Sequence, residues 1–249
     1  MNETVFSGKA NVYAHHRPLY SQQALDLIRR EINITDDTLI ADIGAGTGIF
    51  TKQLSSLGCR VAAVEPNEDM RSHIKNTAPE AEIVSAPAEK TGLPDHSVSL
   101  ITVATALHWF DQALFAEECR RILTADGKVL IIWNLTDKTA DIVKQLHELN
   151  LKYCEKYKAL FANDTVLKDR FIDLTKEFMS EYEQSSYVND QSFDLECFIG
   201  ERLSCSYAIK PGEEGYETYV AALTDFFNAH KENEKITIPH FTHCFIGTV

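Results

Sequence analysis

The run Thr38-Leu-Ile-Ala-Asp-Ile43, followed at once by Gly44-Ala-Gly-Thr-Gly48, constrains this chain more than any other stretch. A short, continuous apolar segment bounded by Asp36-Asp37 and by glycines has the pattern of a central strand buried on both faces, which needs a layer of structure on each side. The following residues supply those layers. Helical periodicity is predicted over 51–57, from Asn67 onward and over 111–123, and strand patterns over 60–65, 81–84, 98–104 and 128–133. Strands and helices taking turns at this spacing imply right-handed βαβ units and a doubly wound parallel sheet, an α/β Rossmann-like core over 1–134. Before it, Leu19, Leu25, Ile28 and Ile32 predict an amphipathic helix with Pro18 in its first turn.

After Asn134 the pattern changes to long, charged, aromatic-rich segments, predicting helices over 139–158 and 166–178. Residues 135–180 are therefore expected to form a helical insertion, a cap beside the sheet. Residues 181–249 are expected to complete the sheet, with a strand over 182–188, a helix over 213–230 and a last strand within 236–246. Pro239 cannot donate to a ladder, so that strand is expected to begin after it or to bulge there.

The formal charge of -13 makes the average surface repel phosphate backbones and anionic lipid, which disfavours a nucleic-acid substrate. No apolar run approaches the roughly 18 to 20 residues that span a bilayer. The first residues, Met1-Asn-Glu-Thr-Val5, have neither a basic leader nor an apolar segment, so the cytoplasm is the expected address. Cys59, Cys119, Cys154, Cys197, Cys205 and Cys244 are scattered without C-x-x-C pairs, which argues against a structural zinc or a disulfide framework. No metal is expected, and the chain is expected to act as a monomer or homodimer.

Chemistry is concentrated at the glycine turn. Glycines there allow positive φ and close approach of a ligand to backbone. In a dinucleotide-binding G-x-G-x-x-G turn the third glycine falls where this chain has Ile49, and the pyrophosphate rests on the helix end. Asp42, just before the turn, would repel a pyrophosphate but suits the ammonium of an amino-acid moiety, directly or through water. Val61-Ala-Ala-Val-Glu65 is another apolar strand ending in an acid, roughly 20 residues further on, the position of a group that accepts hydrogen bonds from ribose hydroxyls. The implied ligand is an adenosyl group with a zwitterionic tail.

These segments, with Val64-Glu-Pro-Asn-Glu-Asp-Met70, Ala88-Glu-Lys-Thr-Gly-Leu-Pro-Asp95 and Ala106-Leu-His-Trp-Phe-Asp111, resemble class I S-adenosylmethionine-dependent methyltransferases, nearest to the small-molecule branch (methyltransferase type 11) that includes trans-aconitate-type enzymes. The resemblance covers roughly residues 5–134. It implies a seven-stranded sheet whose last strand inserts antiparallel, S-adenosyl-L-methionine as cofactor and S-adenosyl-L-homocysteine as product. Carried onto this chain, it assigns Asp42, Gly44, Ala45 and Gly46 to the methionine end and Glu65 to the ribose. Pro66 and Met70 would wall the adenine, Ala88 and Glu89 would lie along its edge, and Ala104 would lie beside the cofactor. The chain departs from the family pattern at Pro87, where many relatives have an acid for the adenine amino group, and at Ser99, where many have Asp. The leader Tyr13-Ala-His-His-Arg-Pro-Leu-Tyr20 resembles the segment that folds over the cofactor, with Arg17 clamping a carboxylate and Tyr13 and Tyr20 closing the site.

His108 and Trp109 follow the fourth strand, where ligands sit in open α/β sheets. His108 is a candidate general base toward a hydroxyl or amine, or a pocket residue packed beside Trp109; Trp109 is a candidate acceptor wall. The expected reaction is methyl transfer to a small molecule at oxygen or nitrogen, with a carboxylate among the acceptors considered. The alternatives are a cofactor-binding regulator without turnover, a methyltransferase acting on protein or RNA, and a nicotinamide oxidoreductase, against which Ile49 and Asp42 both count.

Overall fold

The computed structural model describes residues 18–161 and 170–249. Its elements run α1 (Gln22–Glu31), β1 (Leu39–Ile43), α2 (Ile49–Ser55), β2 (Arg60–Val64), α3 (Glu68–Thr77), β3 (Glu82–Val84) and β4 (Val98–Ala104). A 3-10 turn (Leu107–Trp109), α4 (Gln112–Ile122) and β5 (Leu123–Thr136) follow, then α5 (Asp141–Tyr153), α6 (Glu155–Phe161) and α7 (Arg170–Phe178). The chain ends with β6 (Glu181–Val188), β7 (Gln191–Phe193), α8 (Leu195–Ser204), α9 (Tyr216–His230), β8 (Ile236–Ile238) and β9 (His240–Thr248).

Seven strands form one sheet in the order β3-β2-β1-β4-β5-β9-β6. Neighbours from β3 to β5 pair in parallel, and β9 runs antiparallel between β5 and β6. This is the Rossmann-like, seven-stranded α/β fold expected from the sequence. Every residue of β1 is buried, and alternation along the strand divides its side chains between two cores. Ala41 and Ile43 join Val103, Phe115 and Trp133 on one face, while Ile40 joins Leu25, Phe50 and Leu130 on the other. No helix among the described residues is long and apolar enough to cross a membrane.

Several expectations need correction. Pro18 lies outside the first helical turn, because α1 begins at Gln22 with Ser21 as its N-cap, the Ser21 hydroxyl accepting from the Gln23 amide. The helix expected over 139–158 breaks at Cys154, whose backbone is extended (φ -111°, ψ 99°). The last strand is two strands. β8 pairs with β7 in a separate hairpin, and only β9, beginning after Pro239, enters the main sheet. That hairpin, α8 and α9 share an apolar cluster with α5, through Val143, Leu146, Phe198, Tyr219, Leu223 and Phe227. The boundary expected at residue 180 therefore does not isolate the insertion. Residues of 191–238 pack with α5, whereas α7 packs on the sheet through Phe171, Ile172, Leu174 and Phe178. The helix α8 has a weak apolar periodicity and was not anticipated.

Candidate active site

Strand order reverses between β1 and β4, so the crevice at their carboxyl ends is the topological switch point of the sheet. The turn leaving β1 bends there through three glycines at positive φ, Gly44 (70°), Gly46 (58°) and Gly48 (86°). The Gly44 and Ala45 amides both donate to the Val64 carbonyl, at 2.9 and 3.1 Å, which ties the turn to the tip of β2. A Cβ on Gly44 would lie 2.8 Å from the Ala106 Cβ and 3.0 Å from the Phe110 ring. At Gly46 a Cβ would meet nothing within 4 Å among the described residues, which leave the space above the turn open. Gly44→Ala is accordingly expected to destabilise the fold by about 1–3 kcal/mol, through both the contact and the left-handed backbone. Thermal unfolding checks this: a melting temperature within a degree of wild type would show that the turn is not built on that close approach.

The two strand-tip acids sit against this turn. Asp42 is buried, accepting from the Thr51 hydroxyl at 2.6 Å and from the Thr102 hydroxyl at 2.9 Å. Burial above all, with the negative charge of Glu65 adding to it, raises its carboxyl to about 6. Glu65, also buried, accepts from the Gly46 amide and the Asn67 amide, each at 2.9 Å. Arg71 fixes the backbone behind it by donating to the Glu65 and Pro66 carbonyls, both at 2.8 Å. The structure thus brings Asp42, Glu65 and the glycine turn into one constellation.

A solvent-open cleft of about 610 Å³ lies over the turn. It is lined by residues 44–47, by Ile49 and Phe50 of α2, and by Ala104 and Thr105 at the end of β4. Pro18 and Tyr20 line it from the leader, Asn134 from β5, and Glu201 and His240 from α8 and β9. Tyr20 is held on several sides. Its backbone exchanges hydrogen bonds with the Gln53 side chain at 3.0 and 2.9 Å, and its hydroxyl is 2.8 Å from the Thr105 hydroxyl. Its ring meets Phe50 edge-on at 4.8 Å. Asn134 and Asn189 both donate to the Leu19 carbonyl, at 3.0 and 2.9 Å, which anchors the preceding residue. Thr105 adopts φ 56°, an uncommon backbone for a β-branched residue and one found at ligand sites. The Thr47 hydroxyl, in the lining of the cleft, is buried with no hydrogen-bond partner among the described residues.

Of the residues expected at the site, Tyr20, Gly44, Ala45, Gly46 and Ala104 line the cleft. Tyr13 and Arg17 lie outside the described residues. Pro66, Met70, Ala88, Glu89, His108 and Trp109 are not part of the lining. Met70 and Ala88 are buried, Pro66 is half-buried, and the Glu89 carboxylate accepts from the Asp111 amide at 2.8 Å. His108 packs among aromatic rings, 4.6 Å from Trp109, 5.0 Å from Phe171 and 5.7 Å from Trp133. Its Nδ1 is buried with no hydrogen-bond partner among the described residues, and burial, with Arg170 nearby, lowers the ring to about 4. It is neutral at pH 7 and a weak base. Thr105, Asn134, Glu201 and His240 were not foreseen. The first two stand at the ends of foreseen strands; the last two carry no local signal. Among the described residues no cluster of His, Cys, Asp and Glu is placed to hold a metal.

Residues 41–131 match the methyltransferase domain family. An uncharacterised methyltransferase of Mycobacterium tuberculosis is 32% identical over 149 residues, 58% of each chain, so the chain matches well under two thirds of that relative's length. Among solved structures, a provisionally assigned type II methyltransferase of Anaeromyxobacter dehalogenans superposes with TM-score 0.64 at 19% identity, covering 93% of this chain and 97% of that one. A phosphoethanolamine N-methyltransferase of Haemonchus contortus, solved with phosphomonomethylethanolamine and S-adenosylhomocysteine, gives TM-score 0.51 at 15% identity, over 99% of this chain and 57% of that one. Likeness at these identities establishes a shared fold.

Proposed function

We propose that the protein transfers a methyl group from S-adenosylmethionine to a small molecule, a reading supported by the match of residues 41–131 to the methyltransferase domain family and by a sheet shared with solved structures named as methyltransferases. The observation that carries this reading is the Glu65 carboxylate, 2.9 Å from the Gly46 amide at the edge of an open glycine turn, with the buried Asp42 carboxylate at the neighbouring strand tip. The residues fit such a ligand. The described residues leave open space over Gly46, and the buried Thr47 hydroxyl offers a polar partner. Glu65 would hold the ribose hydroxyls and the glycine turn the methionine end, with Asp42 supplying negative charge beneath it. The Haemonchus enzyme, of the same fold, was solved with the corresponding demethylated product.

Bound S-adenosylmethionine supplies an already activated methyl donor, so the chain's own task is alignment and exclusion of water. Tyr20, clamped by Gln53 and Thr105, closes the cleft from the leader side, and α5 with residues 191–238 would serve as the cap. His108, neutral and set among aromatic rings, makes a strong protein base a poor description of the reaction. A small acceptor is favoured by the acidic balance of the chain, which suits neither RNA nor an anionic membrane. Calorimetric titration with S-adenosylmethionine and S-adenosylhomocysteine is expected to give one site per chain, and a labelled methyl group is expected to pass to a component of a metabolite panel. Binding without any transfer would favour a regulator over an enzyme, and absence of binding would end the proposal.

A further inference from the structure

The seven-stranded sheet ends on β3 at one side and β6 at the other, and the outer backbone of each meets no further strand among the described residues. The two edges differ in length, three residues for β3 and eight for β6. A short edge resists pairing with another chain, whereas a long one invites it unless lysine, proline or a bulge blunts it. The β6 sequence, Glu181-Tyr-Glu-Gln-Ser-Ser-Tyr-Val188, has neither lysine nor proline, and its register with β9 runs without a shift. The Asn189 amide donates to the His240 carbonyl at 2.8 Å, so by alternation the odd-numbered residues of this segment are the ones bonded to β9. The backbone N–H and C=O groups of Tyr182, Gln184, Ser186 and Val188 therefore point away from the sheet. Side chains on the strand are also left without partners. Tyr182 and Val188 are large apolar groups 38% and 64% exposed, and the Ser185 hydroxyl is buried with no hydrogen-bond partner among the described residues.

We infer that β6 is the interface between two copies of this chain, which pair antiparallel across a two-fold axis at Ser185. Only the even-numbered residues can exchange ladder bonds at this edge, so the axis must pass through a residue. With the axis at Ser185, Tyr182 faces the partner's Val188 and Gln184 faces the partner's Ser186, each pair exchanging both of its backbone hydrogen bonds. Moving the axis to Gln184 or Ser186 would separate Tyr182 from Val188, so burial of this apolar pair selects Ser185. Charges agree with that register. Glu183, held in its own chain by Arg30 at 2.6 Å, faces the partner's Tyr187, whose hydroxyl can donate to it, and no acid of β6 stands opposite an acid. Ser185 meets the partner's Ser185 in a non-hydrogen-bonded pair, where side chains come closest, and each hydroxyl can donate to or accept from the other. The formal charge of -13 on each copy opposes association at long range, which makes the contact weaker at low salt. The contact is independent of what the cleft binds.

Sedimentation equilibrium of the full chain is expected to show a reversible dimer with a dissociation constant on the order of 10 μM, tightening as salt rises. The double variant Q184K/S186K sets lysine opposite lysine at both polar pairs and is expected to weaken association by about tenfold or more. Q184E/S186E is expected to do the same with negative charge. An equimolar mixture of the two is expected to recover the dimer, because lysine then faces glutamate across the axis. Gln184 and Ser186 are both exposed, so these variants are expected to stay folded, which thermal unfolding of each checks. Ser185→Cys is expected to form a disulfide between copies under mild oxidation, beyond any seen in the wild-type chain, since facing Cα atoms of a non-hydrogen-bonded pair lie about 4.5 Å apart, within disulfide reach. A single-chain mass up to about 300 μM, at high salt as well as low, overturns the inference and leaves the edge to another occupant. A dimer that both charged variants leave intact, a mixture that does not recover it, or no added cross-link in Ser185→Cys each overturns it as well.

Discussion

Replacing Glu65 by alanine is expected to weaken S-adenosylmethionine binding by about a hundredfold or more, because hydrogen bonds to a charged group contribute roughly 1.5–3 kcal/mol each. The carboxylate does two things that alanine cannot do. It accepts from the Gly46 amide, which holds the turn in place, and from the Asn67 amide at the entry to α3. It is also the group positioned to receive ribose hydroxyls. Glu65→Gln separates these roles in part, since its amide oxygen can still accept from one backbone amide while the charge is gone. It is expected to fall between wild type and Glu65→Ala. Isothermal titration calorimetry measures both variants, and wild-type affinity in Glu65→Ala would refute the assignment of this strand tip to the cofactor.

Asp42→Asn is expected to move stability and affinity in opposite directions. The native carboxyl is raised to about 6 from an ordinary value near 3.8, chiefly by burial and then by Glu65. A carboxyl that binds its proton more tightly when folded favours folding at low pH. The ligand-free protein therefore gains stability as pH falls from 7 through 6, and the penalty at neutral pH amounts to about 3 kcal/mol. Asparagine keeps the size and can still hydrogen-bond Thr51 and Thr102, whose hydroxyls both donate and accept. The variant should melt higher than wild type at pH 7.5, by several degrees, and the difference should vanish toward pH 4. Affinity for S-adenosylmethionine should drop, because the negative charge near the methionine end is lost. A variant that melts lower than wild type at pH 7.5 would show that the ionised carboxylate stabilises the fold, contrary to its buried setting. An acid held charged at a cost to stability is a common mark of a functional site.

The parts of the site that were legible in the sequence are those built from adjacent residues. The sequence 38–48 contains its own strand, its own turn and the backbone freedom the turn needs, and 61–65 contains a strand and its terminal acid. Two helix starts were legible for the same reason, although that of α1 was not. Asn67 and Asp111 each cap the helix that follows, accepting from the Met70 and Leu114 amides. His108 shows the limit of such reasoning. Its place after β4 is a ligand-facing position in this fold class, yet its ring packs against Trp133 of β5 and Phe171 of α7, partners that only folding brings near. The break after α5 and the pairing of β8 with β7 were equally invisible, since each serves an apolar cluster assembled from segments far apart in the chain, whereas the start of the last strand after Pro239 was legible.

By itself the sequence determined the parallel core, the glycine turn and the two acids, because periodicity and turn chemistry act over a few residues and leave their pattern in order. Only the tertiary structure decided that α8 and the first residue of β9 would close on a cleft opened by β1 and β4, bringing Glu201 and His240 to it. Apolar periodicity states that a face must be buried, not against what. The partner is chosen when a long connection folds back onto the sheet, and the side chains that this return carries to the cleft have no local signature.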